Sequence, residues 1–67
     1  MLKEKEHPIA TRRKQLDISQ HQLAVLSGLS SQAYVSFLEH RRRIATQPTL
    51  ERLAKALRCK TEDLIED

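Results

Sequence analysis

Gly28 is the only glycine in this 67-residue chain, and it falls between two short runs that each carry helix signals. Ser19 followed by Gln22 reads as a capping box: the serine hydroxyl accepts from the third helical amide and the glutamine side chain reaches back. Leu23, Ala24 and Leu26 then supply an apolar stripe, and Gly28 ends the helix where a left-handed residue is easiest. After Leu29, either Ser30 or Ser31 caps a further helix from about Ser31 to His40, with Val35 and Leu38 as its buried positions. Residues 19–40 are thus expected to be two short helices around one sharp turn.

The rest of the chain is expected to be helical as well, because no segment alternates with a strand period. Pro8 suits the first position of a helix ending near Leu16, with Ile9 and Leu16 on one face. After the arginine run, Thr46 or Gln47 caps a helix to about Leu57. Its residues Leu50, Leu53, Ala54 and Leu57 fall at i, i+3, i+4 and i+7. Thr61 caps a fifth helix, with Glu62 and Asp63 complementing the dipole and Leu64 and Ile65 giving it an apolar side. The expectation is an all-α, compact five-helix domain over 8–67, preceded by a charged arm over 1–7.

A chain this short buries only about 60% of the surface its unfolded form exposes, so its stability is marginal and a partner subunit is a common remedy. Cys59 has no second cysteine to pair with, and a lone thiol among basic residues fits a reducing compartment such as the cytoplasm. No apolar run approaches the roughly 18 residues of a membrane span, and Met1 to His7 lack the apolar stretch of a signal peptide.

The net charge is +3 and unevenly spread. Arg12, Arg13 and Lys14 form one basic cluster and Arg41, Arg42 and Arg43 another, while Glu62, Asp63, Glu66 and Asp67 make the C-terminus acidic. That polarity suits an anionic partner met in one orientation, although charge runs are also ordinary solvated faces. Tyr34 and Phe37 are the only aromatic residues, too few for a stacking platform for single strands.

A turn of this kind places its second helix in the major groove of DNA while the first crosses the backbone. It needs a small residue where the helices touch (Ala24), a sharp bend (Gly28) and apolar anchors (Val35 and Leu38). The segments Ile9–Arg13, Ile18-Ser-Gln with Leu23-Ala24, Gly28-Leu29-Ser30, Tyr34-Val35-Ser36 with Leu38-Glu39, Leu53 to Leu57, and Asp63-Leu64 occur together in order. With them the chain resembles the Cro/lambda-repressor-like helix-turn-helix family, the xenobiotic-response-element family of bacterial and phage transcriptional regulators.

The resemblance implies that Gln20 bonds a DNA phosphate, that Gln32 and Ala33 meet base edges, and that Phe37 stands at a third such position. It implies that Arg41, Arg42 and Arg43 follow the backbone, and that Arg13 and Glu39 form a largely buried salt bridge. Ser31, Tyr34 and Ser36 complete the expected DNA face. Phe37 has two readings, a core residue or a contact to a thymine methyl group. Tyr34 is read as half-buried with its hydroxyl toward a phosphate.

The chain departs from the family in two ways. The stretch from Gly28 to Glu39 is one residue longer than usual, as if Ser30 or Ser31 were inserted. Without that insertion Tyr34 and Phe37 would become the core anchors; the inserted register keeps Val35 and Leu38 inward. Asp17, Arg41 and Arg58 also stand where glycines are frequent.

His7, His21, His40 and Cys59 lack the paired spacing that zinc requires, so no metal and no cofactor is expected. With no phosphate loop, nucleophile elbow or acidic dyad, no enzyme is expected either. The expected function is sequence-specific binding of duplex DNA by a dimeric regulator, read as a repressor, at a pseudopalindromic site, without a small-molecule ligand. The dimer contact is expected around Leu64 and Ile65, one buried inward and the other reaching the partner, with Leu57 or Cys59 nearby. The rival reading is a protein-interaction module, an antitoxin or adaptor on the same fold.

Overall fold

The structure, a computed structural model, describes residues 5–66. The part of the N-terminal arm over 1–4, and Asp67 of the acidic end, lie outside the described residues. Four α-helices follow in order: α1 (Pro8–Gln15), α2 (Gln20–Ser27), α3 (Gln32–Glu39) and α4 (Gln47–Ala56). A single 3-10 turn, Thr61–Leu64, takes the place of the expected fifth helix. Ile65 after it is already extended, at φ −94° and ψ 133°. Four residues cannot repay the cost of nucleating an α-helix, and short runs settle into the tighter 3-10 form.

The helix starts follow local chemistry. His7 caps α1 through its ring, whose Nδ1 accepts from the Ile9 amide at 3.1 Å, and Pro8 follows as the first helical residue. Ser19 and Gln22 form a reciprocal box at α2, with Ser19 Oγ accepting from the Gln22 amide and Gln22 Oε1 from the Ser19 amide. Ser31 caps α3 by accepting from the Tyr34 amide. Thr46 precedes α4 but leaves its amides uncapped, its hydroxyl donating instead to Thr49 Oγ1.

The helix ends share one motif. Each α-helix closes on a residue in the left-handed region: Asp17 (φ 58°), Gly28 (φ 67°), Arg41 (φ 61°) and Arg58 (φ 57°). At every end that residue's amide donates to the carbonyl three residues before it, and the next amide donates to the carbonyl five residues before itself. For α3 these bonds are Arg41 N–H to Leu38 O at 3.2 Å and Arg42 N–H to Phe37 O at 2.8 Å. This paired closure is the Schellman motif, for which glycine is the usual left-handed residue. Of the four ends, only that of α2 has a glycine there. The residue after the left-handed one is Ile18, Leu29 or Cys59 at three ends, each half-buried against the core; at the end of α3 it is the exposed Arg42.

α2 packs on α3 and α4, α1 on α3, and the 3-10 turn closes the unit against α4 and α1. Ile9, Leu23, Ala24, Val35, Leu38, Leu53, Ala54, Leu57 and Leu64 form one buried cluster. Val35 and Leu38 face inward and Phe37 is 38% exposed, so α3 adopts the inserted register. Leu26, expected in the apolar stripe of α2, is instead 62% exposed beside Val25. Leu23, Ala24 and Ser27 are the buried residues of α2, and 100° per residue turns Leu26 away from them.

The basic cluster of α1 serves the fold. Arg12 reaches across to the end of α4, its Nε donating to Leu57 O at 2.9 Å and Nη2 to Arg58 O at 3.2 Å. It thus satisfies carbonyls that a helix terminus leaves without partners. Lys14 pairs with Glu6 across the first two turns.

A Cβ at Gly28 would meet nothing within 4 Å, so replacing it costs backbone strain alone. Arg58→Gly is expected to raise stability by about 0.5–1 kcal/mol, and Gly28→Ala to lower it by a similar amount, in urea melts. These figures are the left-handed penalty less the entropy a glycine adds to the unfolded chain.

Candidate nucleic-acid interface

The surface built by the starts of α2 and α3 rests on a buried carboxylate. Glu39, the last residue of α3, has a side chain 5% exposed. Arg13 of α1 meets it with two parallel bonds, Nε to Oε2 at 2.8 Å and Nη2 to Oε1 at 3.2 Å. The remaining Arg13 nitrogen, Nη1, donates to the Ile18 carbonyl at 3.0 Å. The pairing with Glu39 raises the Arg13 pKa above its already high ordinary value. Such a fork fixes orientation as well as charge.

Gln20 joins this pair to the surface. Its Nε2 donates to Glu39 Oε1 at 3.0 Å, and its Oε1 accepts from Gln32 Nε2 at 3.4 Å. The carboxylate accepts only, so the Gln20 amide nitrogen must face Glu39 and its oxygen must face Gln32. Four side chains from three helices therefore form one continuous chain, from the largely buried Arg13 to the exposed Gln32. Gln32 keeps its own amide oxygen and a second N–H toward solvent.

Along α3, Ser31, Gln32, Ala33 and Phe37 are exposed, and Ala33 and Phe37 lie one turn apart. Tyr34 is half-buried against the core. Ser36 is half-buried, and its backbone oxygen lies 2.8 Å from His40 Nδ1. Glu39 is the only acidic residue of α3, and it points inward. Arg42 and Arg43 extend into solvent with no ion pair among the described residues.

Arg41 goes elsewhere. Its guanidinium grips Glu66, with Nε at 2.9 Å from Oε1 and 3.1 Å from Oε2, and Nη2 donates to the Lys5 carbonyl at 2.6 Å. That pairing holds the Glu66 carboxyl below the usual carboxylate range. At the same end, Leu64 is buried at 2% exposure while Ile65 is 54% exposed. Ile65, Ile44, Ala45 and Leu50 border a groove of about 480 Å³ that also touches His7 and Glu66. The Cys59 thiol is half-buried behind α4, and burial pushes its pKa up.

The partnership of Arg41 with Glu66 has no local signature in the sequence, spanning 25 residues. The same holds for Arg12 and the end of α4. For Arg41 the one available signal is the low glycine content: a non-glycine residue held left-handed sends its side chain in a direction helix periodicity does not predict.

Two consequences follow for stability. Removing the Glu39 carboxylate strands a buried guanidinium, so Glu39→Ala is expected to cost about 3–5 kcal/mol in a chemical melt. A loss below about 0.5 kcal/mol, the scale of an exposed pair, would show that the pair is not sheltered.

The second concerns His7. Burial lowers its pKa below the ordinary 6.5, and Arg41 adds to the lowering, while Glu66 and Glu39 act against it. Capping α1 needs Nδ1 unprotonated, which agrees in direction. A folded pKa below the unfolded one gives stability that is complete above about pH 6.5 and lost as pH falls through the folded value. Stability should therefore drop between pH 7 and 5, and His7→Asn, a cap that does not titrate, should flatten that limb.

No helix among the described residues is long and apolar enough to cross a membrane, and none of their His, Cys, Asp and Glu side chains cluster as metal ligands do. A helix-turn-helix family model, HTH_3, matches residues 9–64. No curated protein matches the chain. Among solved structures, the restriction-modification controller protein C.AhdI from Aeromonas hydrophila is similar over 88% of both chains, with 30% identity and a TM-score of 0.82. The matched span includes all of the four α-helices but Pro8, with the turn at Gly28 and the Arg13–Glu39 pair, and on that basis the chain belongs to the Cro/C1-type helix-turn-helix family of DNA-binding transcription regulators.

Proposed function

We propose that the protein binds duplex DNA sequence-specifically as a homodimer and acts in the cytoplasm as a transcriptional repressor, with α3 in the major groove of a pseudopalindromic site. One observation carries this reading: an acid-free face on α3 ends in two exposed arginines. Arg42 occupies the place where the other three helix ends bury Ile18, Leu29 or Cys59. A charged residue kept outward at such a place indicates a use for the charge. The likeness to a restriction-modification controller supports a regulatory role for this chain too.

In this reading Gln32 presents its amide to a base edge, where glutamine pairs well with adenine, and Gln20 holds it in place. Ala33 and Phe37 offer apolar contact to thymine methyl groups, while Ser31, Tyr34 and Ser36 flank them. Arg42 and Arg43 meet phosphates, which position the protein without reading sequence. The second subunit docks at the C-terminal end, where Ile65 and the groove beside Ile44 and Leu50 are exposed while Leu64 anchors the turn from inside. Two α3 helices related by a two-fold axis then lie about 34 Å apart, one DNA turn.

Substitutions of three kinds separate these roles. Neutralising Arg42 or Arg43 should weaken specific and random duplexes about equally and flatten the salt dependence by about one unit each. Gln32→Ala should cost about 1–3 kcal/mol on the preferred site and little on random DNA, and equal losses on both would remove it from the bases. Ile65→Asp should leave a folded monomer by equilibrium sedimentation that binds its site far more weakly. A parent protein that is monomeric both free and on DNA would rule out the dimer.

A further inference from the structure

We infer that Glu66 is a built-in rival of DNA phosphate for Arg41, so that the C-terminal segment restrains one of the three arginines at the end of the recognition helix. This rests on the DNA-binding reading above and adds a regulatory contact to it. Arg41 is fixed at the closure of α3 by its own amide, which donates to Leu38 O, and by its left-handed backbone. Its neighbours Arg42 and Arg43 are exposed, so a phosphate that reaches this corner meets three consecutive cations. The Arg41 guanidinium already holds a bidentate carboxylate, which offers the same planar pair of acceptor oxygens as a phosphate edge.

The grip is of the kind that yields. Both side chains are about one-third exposed, at 34% and 33%. Exposed pairs of this type are worth little in water, so a DNA phosphate can displace Glu66. Displacement still has a cost, because the released carboxylate is left near the polyanion. The same carboxylate lies 3.6 Å from His7 Nε2, and Arg41 also holds the Lys5 carbonyl. Releasing Glu66 therefore loosens its contact with His7 at the corner of the groove that lies beside Ile65 and Ile44.

The test is a binding cycle on a random-sequence 20-base-pair duplex, read by fluorescence anisotropy at fixed salt. Glu66→Gln is compared with Glu62→Gln, which removes an equal charge from an exposed residue whose nearest cation is Lys60 at 3.9 Å. Glu66→Gln should tighten binding roughly two- to fivefold, the scale of one partly exposed ion pair, and clearly more than Glu62→Gln. In an Arg41→Gln background the excess should vanish. Equal gains from the two variants, or a Glu66→Gln gain that persists without Arg41, would overturn the inference while leaving DNA binding intact. A parent protein that binds no duplex at all would overturn the DNA reading itself. If Glu66→Gln proves unfolded by circular dichroism, a chain ending at Ile65 serves in its place, with the same expected gain and the same dependence on Arg41.

Discussion

A carboxylate taken out of water at the end of a helix must be met by donors from every side, and Glu39 imposes that demand on three helices at once. Arg13 answers from α1 with two bonds and Gln20 answers from α2 with a third. An ion pair of this kind adds little net stability over apolar packing, but breaking it is expensive, so the geometry around it is strongly specified. The placing of the Gln20 side chain between Glu39 and Gln32 is a consequence. Because Gln20 also accepts from Gln32, the order imposed in the interior extends to the first residue of α3.

Loop closure in so short a chain is handled by repetition. All four α-helices end in the same pair of backbone bonds, and the apolar residue that follows turns back onto the core at three of them. Using Asp17, Arg41 and Arg58 where glycine would be unstrained leaves stability unspent, which a domain with so small a core feels more than a larger one. Two of these residues are given something in exchange: Arg41 holds Glu66, and the Arg58 carbonyl receives Arg12. Nothing in the structure explains Asp17 in the same way.

What could be read from the sequence was local or had the family pattern behind it. The Ser19–Gln22 box, Pro8 at the start of α1 and the break at Gly28 act within a few residues, and each sits where it was expected. Val35 and Leu38 were legible because the extra residue between Gly28 and Glu39 shifts the whole apolar stripe together. Contacts across the fold were not legible. Arg12 and Arg41 each looked like part of a basic run, yet one caps a helix 45 residues away and the other pairs with the acidic end. Leu26 was misplaced because an apolar residue next to a buried pair satisfies composition without satisfying the helical period. The fifth helix failed on length, since caps and a favourable dipole cannot stand in for turns.

The proposed reading of DNA is therefore a consequence of how the interior is fastened: a face whose glutamine is positioned from below, flanked by arginines that the fold leaves outside. The measurement that tests it most directly is selection of duplexes from a random pool by the pure protein, followed by sequencing of what is retained. The account predicts a two-fold symmetric site with half-sites centred about one turn, roughly 34 Å, apart. Recovery of a pool with no preferred sequence, or of a single asymmetric half-site at one protein per duplex, would contradict it.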